Sequence, residues 1–539
     1  MLPITGVFRP KSIGVKYSMS ASREKKSRQD LAAQGVTDPK KIREAEEKAK
    51  ARKTNTLYGV IAGVFVLVAA LLLVYNSGVL QRNATAVTIN GEKYTVGQVE
   101  YFYANVKSNI LNSGYASLYG VDTSKSLDDQ VMSDTAKTLM QVEDEGDVTW
   151  GQFLRDYAVD QLTTVVLTAK EAEANGMGAD DHTEEEVANT MTQVESYAKQ
   201  NGYSTKDYLK LIYGKSMTVG TFKEMVKLTD IASHYQSHYS EELSYTTADL
   251  EAYYQENQST FDVADYESLY FKGTADSTTD ADGNTVAATD EENAAAKAQA
   301  ESDAAAVLAR VQAGESLEDV AKDYESATFS HTESGSNSGD DMGTWLFDSA
   351  RVDGDSTVIT TDSGSRVLVF HSAGRQDYAT KDVRHILFMV NKSDLDSTSE
   401  TYDADLQARQ DEAKAKAEDA LAQWKAGDAT EDSFAALANE LSEDGGSNTN
   451  GGLYTEIYKG QMVTEFNDWC FDESRQAGDT GIVYNENTGY HVMYFVGDDV
   501  PYWQVQADSA LRSRDTSAWL EELLASATVE QGSGMKNLA

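Results

Sequence analysis

The stretch SEDGGSNTNGGLYTEIYKGQMVTEF, residues 442–466, joins a polar, glycine-rich loop to a short amphipathic segment. Met462 and Phe466 stand one helical turn apart in it, so an adaptable thioether and an aromatic ring share one face. Other spacings suggestive of chemistry are few. His234 and His238 are also one turn apart, as metal ligands can be, but no third ligand of the HExxH kind accompanies them. They read as surface or groove histidines. TTDADGNTVAATDEE (278–292) offers Asp280, Asp282, Asn284 and Glu291 in the manner of a calcium loop. Thr285 stands where such a loop needs Gly, and a polar hairpin turn is the better reading. No phosphate loop, GxSxG elbow or CxxC pair occurs, and no metal or cofactor is expected.

The elements that would position these residues follow from periodicity. AVTINGEKYTVGQVEYFY opens with a strand, a tight turn at Asn90-Gly91 and a helix presenting Val99, Phe102, Tyr103 and Val106. Helices ending at Gly176, Gly202 and Gly214 follow, each with glycine as the expected C-cap. TTADLEAYYQENQSTF completes a helical domain over 84–261.

Next, two segments match each other in order. DYESLYF (265–271), GSNSGDDMG (335–343), FDSARVDGDSTV (347–358) and SGSRVLVF (363–370) recur as DVRHILF (382–388), GSNTNGGLYT (446–455), FDESRQAGDTGI (471–482) and TGYHVMYF (488–495). Each reads as a compact α/β unit, over 265–375 and 381–498. Between GDDMG and FDSAR the first copy is shorter, and it has no evident counterpart of KGQMVTEF. An amphipathic tail over 502–533 follows.

Charge divides the chain unevenly. Residues 1–56 hold 14 Lys/Arg against 6 Asp/Glu, about +8; the rest holds 32 against 82, about −50. Between them lies LYGVIAGVFVLVAALLLVY, Leu57 to Tyr75, uncharged and long enough as a helix to span a hydrocarbon core of about 30 Å. The basic arm predicts a cytoplasmic N-terminus, one pass, and an extracellular bulk. A cleaved signal peptide competes, but its apolar region would be shorter and would not follow so long an arm. Met19, opening MSASREKKSRQD, reads as naturally as a start as Met1 does. The acidic bulk argues against nucleic acid as a partner. Cys470 is the only cysteine, so no intrachain disulfide is possible.

Four prolines occur where ordinary usage predicts roughly 27, and none lies between the span and Pro501. A region without prolines never waits for X-Pro isomerisation; composition bias of the lineage is the plainer reading.

The second copy resembles the parvulin family of peptidyl-prolyl cis–trans isomerases through RHILF, ALANELSEDGGSNTNGG, GQMVTEF and TGYHVMYF, at the family's order and spacing. The resemblance implies a polar centre of His385, His491 and Asp444, with Thr488 supporting the histidine pair. It also implies a proline pocket from Met462 and Phe466, with Tyr454 added by a departure: GGLYT puts Leu453 and Tyr454 where Asp and Leu are usual, and Gly445 replaces a Pro. In the first copy Ser268, Arg366 and Thr332 stand at the positions of His385, His491 and Asp444, which implies an inactive binding or spacing module.

With the helical domain, the whole resembles exported foldases of the PrsA and SurA kind. The implied architecture is α+β: one membrane helix, an all-helical chaperone lobe, two tandem parvulin-like units with small antiparallel sheets, and a C-terminal helix packing on the lobe. The implied partners are unfolded or partly folded secreted chains containing X-Pro bonds. The alternative is a non-catalytic holdase or cell-surface scaffold. The sequence gives no reading of oligomeric state.

Overall fold

The computed structural model describes residues 82–538 apart from 113–115, 117–118, 143–145 and 280–282, with isolated positions between 40 and 68. Among the described residues no helix is long and apolar enough to cross a membrane. Most of the expected basic arm and most of the expected span Leu57–Tyr75 lie outside them. The chain forms two compact units. One comprises the chain to Tyr235 together with Glu522–Ala539, the other Gln236–Glu521.

In the first unit, β1 (Thr85–Ile89) and β2 (Glu92–Thr95) form a hairpin whose turn residues Asn90 and Gly91 both have positive φ, as a tight two-residue turn requires. Helices α1 (Val96–Asn112), α2 (Asp134–Leu139), α3 (Trp150–Ala174), α4 (Asp181–Gln200), α5 (Thr205–Tyr213) and α6 (Val219–Glu242) follow. The side chains of Thr149, Asp180 and Ser204 accept from backbone N–H groups at the starts of α3, α4 and α5, satisfying donors that have no partner within the helix. Trp150, Leu154 and Leu162 of α3 bury against Val99 and Phe102 of α1 and Val87 and Ile89 of β1.

The second unit takes in the end of α6 from Gln236, followed by α7 (Thr247–Glu256) and α8 (Gln258–Phe261). The first repeat contains β3 (Val263–Lys272), the short hairpin β4 (Thr278–Thr279) and β5 (Thr285–Val286), α9 (Asp290–Gln312), α10 (Leu317–Ala321), β6 (Thr328–Ser336), α11 (Asp341–Leu346), β7 (Ser356–Thr361) and β8 (Gly364–Gly374). The second contains β9 (Ala379–Met389), α12 (Tyr402–Ala426), α13 (Glu431–Leu441), β10 (Leu453–Ile457), α14 (Thr464–Cys470), β11 (Thr480–Asn485) and β12 (Gly489–Pro501). Their antiparallel sheets have corresponding orders, β6-β3-β8-β7 and β10-β9-β12-β11.

One face of each sheet is covered by an alanine-rich helix whose small side chains permit close approach. Ala300, Ala304 and Val307 of α9 meet Leu269 and Val367; Ala413, Ala417 and Ala420 of α12 meet Ile386 and Val492. Strand alternation sends the intervening residues to the other face, beneath α11 or α14. The first repeat thus retains a helix where the sequence suggested deletion. α11 leads into Phe347-Asp348 as α14 leads into Phe471-Asp472, and Met342 takes the position of Phe466. The apolar side chains of Ala264 and Phe370 still need a cover, which Leu346 and Met342 supply.

The last helix, α15 (Tyr502–Ala525), buries Trp503, Ala507 and Leu511 against Leu250, Tyr254 and Phe261. That contact draws α7 and α8 into the second unit, whereas periodicity alone ran the helical domain on to residue 261. The final strand β13 (Val529–Gln531) pairs antiparallel with β1 in the first unit, so strands as well as helices build what the sequence presented as an all-helical lobe.

Candidate active site

On the α14 face of the second sheet, His385 lies opposite Met493 and His491 opposite Leu387, so the two histidines are diagonal neighbours on adjacent strands. Their Nδ1 atoms are 3.1 Å apart and their rings nearly parallel, with centroids 5.3 Å apart. His385 Nε2 meets Asp444 Oδ2 at 2.8 Å, and His491 Nε2 meets Thr488 Oγ1 at 2.8 Å.

These contacts fix the protons. A carboxylate only accepts, so His385 Nε2 carries a hydrogen and donates to Asp444. The Nδ1 of a neutral His385 then accepts from His491 Nδ1, and His491 Nε2 accepts the Thr488 hydroxyl. Burial pushes both histidines below their ordinary range. Burial and the neighbouring His385 bring His491 to about 4, while Asp444 partly opposes the fall of His385. Burial alone would raise the Asp444 carboxyl, but hydrogen bonds from Ser447 and His385 override it and bring the group to about 2. At neutral pH the centre is one carboxylate beside two uncharged imidazoles.

The loop 442–452 holds that carboxylate by backbone contacts on both sides of His385. Ser442 Oγ accepts from Leu387 N at 3.1 Å, Glu443 N donates to Leu387 O at 2.9 Å, and His385 N donates to Gly452 O at 2.8 Å. Gly452 has φ +70°, and a Cβ there would lie 2.2 Å from the His385 carbonyl oxygen, so only glycine fits. The fully buried Ser447 donates to Asp444 Oδ2 at 2.5 Å, and Tyr454 donates to the same oxygen at 3.0 Å. On the opposite side, Asn485 Oδ1 accepts the backbone N–H groups of Asn487 and Thr488, and its Nδ2 donates to Glu465 at 2.7 Å.

The apolar part adjoins directly. Phe466 presents its edge geometry to both imidazoles, at 5.5 Å and 79° from His385 and 5.5 Å and 87° from His491. It is 2% exposed and forms the floor, packed with Val383, Met493 and Phe495; Met462 and Tyr454 are the half-buried residues beside it. The structure brings together all seven residues singled out from the sequence: His385, His491, Asp444, Thr488, Met462, Phe466 and Tyr454. Ser447, Asn485 and Glu465 were not singled out, although Ser447 lies in the conspicuous loop and Asn485 closes the turn that carries Thr488.

In the first repeat the register sets Ser268 opposite Leu368 and Arg366 opposite Tyr270, the places of His385 and His491. Arg366 Nη1 donates to Ser268 Oγ at 2.9 Å. The other partner of Ser268 is Ser330, at 2.9 Å, and not Thr332, which lies opposite Tyr266. β6 runs as a strand through 328–336, so no loop returns to deliver a carboxylate.

Residues 366–497 match the family model of the PPIC-type PPIase domain. No curated protein matches the sequence. Among solved structures, PrsA from Bacillus anthracis is similar at 21% identity over 28% of this chain and 59% of that one, with a TM-score of 0.17. PrsA from Bacillus subtilis aligns at 14% identity over 74% and 91% of the two chains, with a TM-score of 0.28. A SurA-like chaperone of Campylobacter jejuni aligns at 14% identity over 83% and 99%, with a TM-score of 0.17. Residues 366–497, which hold His385, Asp444 and His491, are thus similar to a PPIC-type PPIase domain.

Proposed function

We propose that the protein is a membrane-anchored, extracytoplasmic foldase that isomerises X-Pro bonds in secreted chains at the His385–His491–Asp444 centre. The observation that carries this reading is the single carboxylate held on two neutral histidines beside the apolar floor of Phe466. Rotation about an X-Pro bond crosses a barrier of about 18–20 kcal/mol without breaking a covalent bond. No proton need move, which suits histidines that burial keeps uncharged. Met462, Tyr454 and Phe466 would hold the proline ring away from water, removing solvent that favours the planar, more polar amide. Asp444, Ser447 and Tyr454 would supply fixed polar groups to the twisted amide, whose charge distribution differs. The test is proline-peptide isomerisation by a soluble 84–539 fragment, where a rate no faster than the uncatalysed one would refute catalysis.

A holding function for the first unit is supported by a separate observation. A groove of about 610 Å³ runs between α1 and α5, lined by Tyr103, Leu111, Leu211, Ile212 and Tyr213. Leu211 and Ile212 are 60% and 49% exposed, the kind of apolar surface that receives unfolded chain. For the anchor, support comes from the uncharged run 57–75 and from the described helical residues within it: Phe65 and Val66 are 72% and 69% exposed, as expected of side chains meant for lipid.

A further inference from the structure

We infer that His182, Asp230 and His234, in the first unit, form a binding site for a divalent transition-metal ion of the zinc class. Asp230 and His234 are four apart on α6, hence on one face, and His182 comes from the first turn of α4. His182 Nδ1 lies 3.9 Å from Asp230 Oδ1, and His234 Nδ1 lies 4.0 Å from Asp230 Oδ2. These separations are too long for hydrogen bonds. They are close to those of ligands sharing one ion, since zinc bonds to nitrogen and carboxylate oxygen run about 2.0–2.2 Å. All three ligand atoms fall within 4.8 Å of one another, and the two imidazole centroids are 4.4 Å apart. Small rotations of the histidines, whose side chains are 60% and 47% exposed, would close the remainder.

The independent sign of a missing ligand is Asp230 itself. Its side chain is only 10% exposed, and its Oδ2 is buried with no hydrogen-bond partner. An orphaned buried acceptor is destabilising, and more so when charged. A cation held between the two imidazoles would give that oxygen its partner, and two imidazoles with one carboxylate suit zinc and its neighbours. Asp180, the N-cap of α4, adds negative charge near both histidines. Three protein ligands leave the fourth position to water, and the ion would tie the start of α4 to the middle of α6. A second group, Asp265, His331 and His371, makes a weaker case. There His331 already bonds Asp265 at 2.7 Å and His371 meets Asp353 at 3.2 Å, with no carboxylate oxygen buried and orphaned.

The experiment is calorimetric titration of zinc chloride into the full-length, chelator-stripped protein in detergent, with circular dichroism on every variant. The wild type should bind zinc, and His182→Ala and Asp230→Asn should each remove one equivalent or weaken it at least tenfold. His331→Ala should leave that equivalent unchanged. His182 is exposed, so its truncation keeps the test valid if Asp230→Asn fails to fold. Absence of zinc binding by the wild type, or wild-type binding by a folded His182→Ala, would overturn the assignment.

Discussion

The two repeats of the second unit share strand order, helix placement and cross-strand register, yet differ at the same few positions. Where the second has His385, His491 and a loop-borne Asp444, the first has Ser268, Arg366 and the strand residue Ser330. Both sets are hydrogen-bonded, so each sheet is satisfied without the other's residues. The scaffold therefore does not require a histidine pair or an apposed carboxylate. Their presence in one copy, on a loop zipped to β9 by backbone bonds and closed by Gly452, is an addition to the fold and points to chemistry. The helices that cover the two sites repeat this difference: Phe466 of α14 is sealed against both imidazoles, whereas Met342 of α11 is only partly buried.

The largest separation between the copies should come from that cover. Phe466→Ala removes a ring that is 2% exposed, and loss of a buried Phe costs about 3–5 kcal/mol, against roughly 1–2 kcal/mol for the partly buried Met342→Ala. Urea denaturation of each variant measures the contrast; equal losses would mean the two helices do the same packing job. Because Phe466 is core as well as pocket floor, Met462→Ala is the cleaner probe of proline binding. It should lower isomerase efficiency several-fold while client holding persists.

Acid should also divide the repeats. His491 sits at about 4 in the fold against an ordinary 6.5, so the unfolded chain takes up its proton first. The stability it contributes is complete above pH ~6.5 and declines as the pH falls toward 4; His385, lowered by burial, acts in the same direction. Asp444 behaves as depressed carboxylates do, its contribution present above about 3.8 and lost as the pH falls toward 2. In the first repeat Ser268 and Arg366 stand at the positions of the two histidines. The protection of β12 amides, taken against the intrinsic exchange rate at each pH, should therefore fall between pH 6.5 and 4 more than that of β8 amides, and His491→Gln should shrink the difference.

Smaller effects test the supports. Ser447→Ala leaves Asp444 without its shortest hydrogen bond and should cost about 1–2 kcal/mol of stability and several-fold in isomerase rate. Ser268→Ala, in the first repeat, should leave catalysis untouched and change stability by no more than about 1 kcal/mol. A catalytic loss in Ser268→Ala would give the first repeat a role denied to it here.

Much of this was legible because each motif is local: RHILF and TGYHVMYF carry their histidines on alternating strand patterns, and the glycine-rich composition of the loop argues against a helix or strand there. What escaped was long-range selection among equivalent residues. Ser447 has Ser442, Asn448 and Asn450 as polar neighbours, and only the fold determines which one turns inward. Thr332 looked like the counterpart of Asp444 by spacing, but the strand β6 replaces the loop and shifts the partner to Ser330. His234 seemed paired with His238 by helical spacing, whereas the fold sets it beside His182 from another helix. The assignment of α7 and α8 to the second unit depended on Trp503 and Leu511, which lie far along the chain.

The central claim is that one carboxylate, held on a neutral histidine pair in the second repeat alone, is what catalysis needs. Its most direct test is the proline-peptide isomerisation rate of the full-length protein carrying Asp444→Asn, set beside Ser330→Ala, with folding verified by circular dichroism. Asp444→Asn keeps the shape and removes the charge, and should lower kcat/KM on the order of a hundredfold, about 2.7 kcal/mol of transition-state binding. Ser330→Ala should match the wild type. A folded Asp444→Asn as active as the wild type, or an equal loss in Ser330→Ala, would contradict the account.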